Sequence, residues 1–265
     1  MPRRRKTSRA LSRAKARGFA VALAPGPVER RYVASLRALS RALASEYLRR
    51  LEPVLASVAR RDGGVREDAL SEVSRVLDVA GLELHVQIPN LVGPLFSRMS
   101  ADLRKKNGRA FDLIKVKSND LGISAEIEAA RDRSIRMVEN AHRVYAADVR
   151  EIMEDPETFG LRVEEIKEKL LTRGQVSESR AELLARDQTL KLNGAIAQTR
   201  MQQSGIESYT WSTSQDDRVR EEHRALEGQT FTWLSPPDVG HPGQDFQCRC
   251  VAIPIVEELA GLFDE

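Results

Sequence analysis

The hydrophobic periodicity of this chain changes at Gly205. Before that residue, apolar side chains recur every three or four positions over long stretches, which is the spacing of amphipathic α-helices. After it, short runs rich in aromatic and β-branched residues alternate with turn residues, which is typical of strands. The sequence therefore predicts an α+β fold, with a mainly α-helical N-terminal body and a small C-terminal α+β module.

Proline and glycine divide the helical part into several predicted helices. The strongest covers 124–154, where His142 lies on a long apolar stripe and is expected to be a structural core residue. Pro53 is expected to kink or divide the first helix. The other helices are predicted over 28–60, 65–80, 90–106, 161–171 and 180–204.

These patterns divide the chain into four segments. They are a basic disordered tail over 1–24, a helical domain over 25–176, a C-terminal module over 177–257 and an acidic tail over 258–265. No run of about 18 apolar residues is present, so no membrane span or membrane partner is expected.

The C-terminal module has its own predicted elements. Strands are predicted over 208–212, 230–233 and 249–254, with Trp211 and Trp233 packing across the small sheet. A short helix over 217–226 is expected to begin at an N-cap formed by Asp216 or Asp217.

The module also gathers the residues best suited to bind a metal. His223, His241, Cys248 and Cys250 form a potential set of two imidazoles and two thiolates, which zinc prefers in structural sites. A structural zinc would hold the Pro/Gly-rich loop over 234–247, which has little to bury.

The C-x-C spacing leaves a second interpretation of these residues open. It is less usual than C-x₂-C in zinc sites, and we expect strand alternation to turn Cys248 and Cys250 apart unless a bulge intervenes. The cysteines would then be small buried hydrophobes, and each histidine an ordinary hydrogen-bonded group. A disulfide framework is excluded because the chain has only these two cysteines, one residue apart.

A dense run of charged residues covers 216–224. Acid–base work by His223 is one interpretation, but we favour a structural turn in which Asp217 pairs with Arg220 or Arg224. The sequence shows no serine–histidine–acid order, phosphate loop or H-E-x-x-H motif. The chain is therefore predicted not to be an enzyme.

The N-terminal tail is predicted to bind double-stranded DNA without sequence preference. Residues 1–18 carry eight cations and no acid, although the whole chain has a formal net charge of only +3. The alternative is a solubilising end. The eight cations are Arg3, Arg4, Arg5, Lys6, Arg9, Arg13, Lys15 and Arg17.

An ordered set of residues in the module resembles a known family. The first part fits W-(S/T)-x(n)-D-x-R-x-R-x-x-H-x-x-L-x-G, and the second fits P-G-x(n)-C-R-C-x-x-x-P. Over roughly residues 178–256 the chain resembles the phage head morphogenesis family, the Mu F-like minor head proteins of tailed phages. The central motif residues are Trp211, Asp217, Arg220, His223, Gly228, Cys248, Arg249 and Cys250.

The chain departs from this family in two places. The helix before the module often carries Arg-Thr-Glu in the family, whereas Arg186 is followed here by Asp187, Gln188 and Thr189. The interval from His241 to Cys248 is longer than in forms with His-Pro directly before Cys-Arg-Cys.

The resemblance implies a minor head protein, or minor capsid protein, located in the virion. It implies binding to the portal protein and other head proteins during assembly in the host cytoplasm, and contact with packaged DNA. The alternative from another class is a zinc-dependent hydrolase acting on nucleic acid or protein, with Glu222 or Asp217 as the base. A third interpretation is a DNA-binding regulator with a basic arm, which would show sequence preference.

Overall fold

Long helices dominate the described part of the chain. The computed structural model describes residues 13–58, 70–118, 122–155, 157–158 and 161–255. The helices are α1 (Arg13–Leu23), α2 (Gly26–Val58), α3 (Leu70–Leu113), α4 (Ile123–Glu154), α5 (Val163–Gln203) and α6 (Glu221–Ala225). The strands, all after Gly205, are β1 (Ser208–Ser212), β2 (Thr230–Thr232) and β3 (Val251–Pro254). The predicted α+β class is confirmed.

Helix α3 joins two segments that the sequence predicted as separate helices. Pro89 and Pro94 both lie inside it, and Pro53 lies inside α2. The predicted start of a separate helix at residue 90 was therefore wrong. An interior proline removes one backbone hydrogen bond, and burial of neighbouring side chains such as Ile88 and Val92 offsets that loss.

Helix α5 likewise joins the two helices predicted over 161–171 and 180–204, and it includes Gly174. A Cβ atom at Gly174 would lie 3.3 Å from the Cβ of Ala44. The glycine thus permits close packing on α2 and does not end a helix. Periodicity alone does not distinguish these two roles.

The described residues form two compact units. The first, called the sheet unit, draws on Met1–Glu29, Arg98–Ala130 and Asp187–Glu265; the second, called the helical unit, draws on Arg30–Ser97 and Arg131–Arg186. None of the described helices has an apolar stretch of the length and hydropathy needed to cross a bilayer.

The helical unit has a core of aliphatic and aromatic side chains from α2, α3, α4 and α5. His142 is buried in this unit, and its Nε2 lies 3.2 Å from the Tyr47 hydroxyl. Burial lowers the pKa of His142 to about 4. The structure thus agrees with a structural role for this histidine.

The sheet unit is built around a three-stranded antiparallel sheet in the order β2-β1-β3. Tyr209 and Trp211 alternate with half-buried residues along β1 and point into the core. Trp233 is also buried, so the prediction that both tryptophans pack in the core is confirmed.

Helix α1 belongs to this core, although the sequence placed its residues in the tail. Phe19 and Leu23 lie four residues apart, which puts them on one helix face, and both are buried. The ring of Phe19 meets that of Phe111 edge-on at 5.5 Å between centroids. Over 13–23 the chain is therefore an anchored helix.

Candidate metal centre

Both cysteines face His223 in the sheet unit. The Nδ1 atom of His223 lies 3.5 Å from the sulfur of Cys248 and 3.6 Å from that of Cys250. All three side chains are buried, and their ligand atoms lie within 4.8 Å of one another. One nitrogen and two sulfurs form a donor set that suits zinc and other soft divalent metals.

The two thiols lie on the same side of the chain just before β3. The expectation that strand alternation would turn them apart was wrong, because residues two positions apart in extended backbone share a face. The residue between them, Arg249, forms an ion pair with Asp216. Cys250 donates a hydrogen bond to Cys248 and lowers the pKa of Cys248 to about 6, while the same contact raises that of Cys250.

The second ring nitrogen of His223 is held by Asp245. Its Nε2 lies 3.1 Å from Oδ2 of Asp245, which also accepts a hydrogen bond from Arg220. Because an ionised carboxylate only accepts hydrogen bonds, Nε2 is the donor toward Asp245 in the neutral ring. Nδ1 therefore presents its lone pair to Cys248 and Cys250.

His241 is not part of this group of three residues, whose ligand atoms lie within 4.8 Å of one another. Its Nδ1 accepts a hydrogen bond of 2.9 Å from the Tyr209 hydroxyl, and it also bonds the backbone of Trp233. Burial lowers the pKa of His241. The structure thus brings three of the four predicted ligands together, and it places His241 in a hydrogen-bonded contact beneath the sheet.

The loop before the cysteines is fixed by a close approach to α5. A Cβ atom at Gly194 would lie 2.9 Å from the carbonyl oxygen of Pro242, so only glycine fits there without displacement. The next residue, Gly243, has φ of +88° and donates its N–H to the sulfur of Cys248 at 3.4 Å. This contact positions one of the two candidate thiols relative to the helix.

Asp187 makes a second attachment between α5 and the loop. Its buried carboxylate accepts a 2.8 Å hydrogen bond from the backbone N–H of Gln247, which has φ of +52°, and also pairs with Lys191. The sequence identified Asp187 only as a departure from the family pattern. Its partner lies 60 residues away, so spacing gave no signal of this role.

The charged run is paired differently from the prediction. Arg220 pairs with Asp245, and Arg249 pairs with Asp216, whereas Asp217 is exposed. The Arg249 guanidinium lowers the pKa of Asp216 to about 2. The predicted pairing of Asp217 with Arg220 or Arg224 was therefore wrong, and Arg224 instead donates a hydrogen bond to the carbonyl of Val219.

Helix α6 is also shorter than predicted. It begins at Glu221 with Arg220 at its N-cap, and no side chain caps it. The predicted N-cap at Asp216 or Asp217 was wrong, because residues 216–219 form a turn in which Asp216 accepts the backbone N–H of Arg218 at 3.1 Å.

The remaining motif residues support the centre from its other side. The ring of Trp211 meets that of His223 edge-on at 5.5 Å between centroids. Gly228 has φ of +75°, which favours glycine, and donates its N–H to the carbonyl of Trp211 at 2.9 Å. The motif thus includes the three candidate ligands and also residues that form the backbone turns around them.

Most of the predicted DNA-binding cations lie outside the described residues. These are Arg3, Arg4, Arg5, Lys6 and Arg9. The backbone of Arg13 belongs to α1, on which Lys15 and Arg17 are exposed. Binding of DNA by this segment stays a prediction.

A family comparison matches the part of the chain that contains this centre. Residues 147–253 match the family described as phage Mu protein F like protein. This segment is a phage Mu protein F-like region. The resemblance inferred from the motif is thereby confirmed for these residues. The Mu F-like region includes all of α5, the three candidate ligands, Asp187 and Asp245.

One related protein is similar over more than half of this chain, but its description gives no function. A protein of Haemophilus influenzae, described as uncharacterized, is 35% identical over 153 residues. The aligned part is 57% of this chain and 34% of the relative, so the chain spans about a third of the relative's length. No solved structure matches.

Proposed function

We propose that this chain acts as a minor head protein of a tailed phage, associating with the portal protein and other head proteins during assembly. The Mu F-like region over 147–253 carries this proposal. Three of its motif residues, His223, Cys248 and Cys250, converge on one buried centre, which supports a structural module. The virion is the corresponding location, after assembly in the host cytoplasm.

The proposal includes non-specific contact between the N-terminal cations and packaged DNA. Helix α1 anchors this end of the chain through Phe19 and Leu23, while Lys15 and Arg17 are exposed. A cation-rich segment attached to a folded unit suits contact with phosphates and needs no base recognition.

A structural role is favoured over the zinc-hydrolase alternative. The candidate ligands are buried, whereas Glu222 and Asp217, the bases that a hydrolase would use, are exposed. The cavity beside Cys248 and Cys250 has a volume of only about 10 Å³, which holds about one water molecule, and His223 does not line it. These features support a module that is held together at this centre.

The test is quantitative mass spectrometry of purified particles from the source phage or prophage. Peptides of this chain are counted against those of the portal and major capsid proteins, after washing with nuclease and high salt. We expect a reproducible copy number close to that of the portal and far below that of the major capsid protein.

Absence of the chain from intact particles that contain portal protein would overturn the proposal. A copy number equal to that of the major capsid protein would also contradict a minor role. Particles lacking this chain provide the matched control for peptide assignment.

A further inference from the structure

We propose that His223, Cys248 and Cys250 bind one zinc ion, with Asp245 orienting His223 and with His241 outside the ligand set. The site differs from the four-ligand set that spacing predicted. It stands on the geometry of the sheet unit and does not depend on a role in phage heads.

The distances fit one tetrahedral ion. Bonds of about 2.3 Å to sulfur and about 2.0–2.1 Å to nitrogen, at a tetrahedral angle, place the two ligand atoms about 3.5–3.6 Å apart. The observed separations from Nδ1 of His223 are 3.5 Å to Cys248 and 3.6 Å to Cys250. Both nitrogen–sulfur separations fit one tetrahedral ion, and the two sulfurs lie within 4.8 Å of each other.

The surroundings of His223 are those of a metal ligand. Histidines that bind metals usually donate their other ring N–H to a carboxylate, which fixes the tautomer and the ring orientation. Asp245 supplies this carboxylate 3.1 Å from Nε2, and Arg220 holds Asp245 in turn. A histidine that only filled the core would not need this arrangement.

One coordination position is left for a small ligand. In the part of the chain that the structure describes, no fourth histidine, cysteine or carboxylate joins the group of three. We expect a water molecule to complete the tetrahedron, since zinc sites with three protein ligands take water in the fourth position.

The ion would connect elements that are separate in the chain. His223 lies on α6, and the cysteines lie just before β3, after the Pro/Gly-rich loop. The bonds to the metal would add to the apolar packing of this core, and metal binding would add directly to the folding free energy.

The experiment measures metal in the full chain. The protein is purified under reducing conditions without chelator, and zinc is counted per chain by elemental mass spectrometry. Cobalt(II) is then exchanged for zinc, and the absorption spectrum is recorded. We expect about one zinc per chain, tetrahedral cobalt bands and a charge-transfer band from thiolates.

Four variants separate the proposed set from its alternatives. Cys248→Ser and Cys250→Ser are expected to lose the bound zinc. His241→Gln, the matched control, is expected to keep zinc and the wild-type cobalt spectrum. Asp245→Asn is expected to weaken zinc affinity by about 10–100-fold in a chelator competition, since Asp245 acts through His223.

Two results would overturn the proposal. One is a folded wild-type chain that binds neither zinc nor cobalt, with two reduced thiols by titration. The other is a folded His241→Gln chain that has lost its zinc, which would restore the four-ligand set. The cobalt spectrum of the wild type shows whether thiolates bind the metal even if the cysteine variants fail to fold.

Discussion

Two buried histidines show how hydrogen-bond partners set the chemistry of a ring. His223 has a carboxylate at one nitrogen and two sulfurs at the other. His142 has the Tyr47 hydroxyl near Nε2, and its Nδ1 finds no hydrogen-bond partner among the described residues. The first arrangement favours a metal, whereas the second favours the neutral ring.

The buried ring of His142 predicts a loss of stability in mild acid. Its pKa is lowered to about 4, first by burial and then by His85, from an ordinary value of 6.5. Below that ordinary value the unfolded state binds a proton that the folded state resists, so stability falls between about pH 6.5 and about pH 4. The loss reaches at most about 3 kcal/mol.

The His142→Gln variant tests this expectation. Urea unfolding of both chains is measured from neutral pH to about pH 4, and the difference in unfolding free energy is plotted against pH. The penalty of the substitution should shrink as pH falls, because only the wild type loses stability through this group. A pH-independent difference would show that His142 does not control the acid response.

At the scale of elements, the contact between α5 and the loop before β3 determines the position of Cys248. Gly194 and Gly243 allow two backbones to approach closely, and Asp187 fixes the loop at Gln247. Gly243 then donates directly to the sulfur of Cys248. The candidate centre therefore depends on a helix that supplies none of its ligands.

Substitution of Gly194 by alanine should destabilise the protein. The added methyl group would meet the carbonyl oxygen of Pro242 at 2.9 Å, so backbone must move, at a cost of about 1–3 kcal/mol. Gly18→Ala is the matched control, since nothing lies within 4 Å of a Cβ atom there. That change should be neutral or stabilise helix α1 by about 0.5–1 kcal/mol.

Thermal unfolding of the two variants and the wild type provides the measurement. Equal effects of the two substitutions would mean that helix propensity, and not the contact with Pro242, governs the response at Gly194.

Local pattern was sufficient for some elements and insufficient for others. Strand β1 was predicted at its observed bounds, because alternating aromatic and β-branched residues are a local signal. The fusion of predicted helices into α5 was missed, because Gly174 is tolerated through packing on Ala44, which is remote in sequence.

The sequence likewise predicted only part of the candidate centre. Residue type identified His223, Cys248 and Cys250, but it gave His241 the same status. Only the fold shows that His241 forms hydrogen bonds with Tyr209 and Trp233, and that Asp245 accepts a hydrogen bond from His223. Hydrogen-bond partners that are distant in sequence cannot be predicted from the spacing of residues.

At the scale of the whole molecule, the charge distribution predicts that DNA binds to the cations of the N-terminal tail. Each cation that neutralises a phosphate steepens the fall of affinity with salt by about 0.9 in the double-logarithmic slope. Changing Arg3, Arg4 and Arg5 to glutamine should therefore reduce that slope by up to about 3 and weaken binding to duplexes of any sequence alike.

The matched control changes three exposed cations of α4, Arg133, Arg136 and Arg143, to glutamine. This variant has the same net charge, and its slope should stay closer to that of the wild type. Fluorescence anisotropy with unrelated duplexes at several salt concentrations measures both. Equal slopes in the two variants would assign binding to overall charge, and a marked sequence preference would favour a regulator.

The two units differ in when they can be completed as the chain is synthesised. All segments of the helical unit lie before residue 187, whereas the sheet unit combines its first segment with one that begins at Asp187. Helix α1 is translated before the other described elements, whereas the strands that share a core with Phe19 and Leu23 follow α5 in the chain. Until Phe111 and these strands have been translated, the apolar face of α1 lacks its native partners, and we expect a chaperone that binds exposed apolar surface to recognise it.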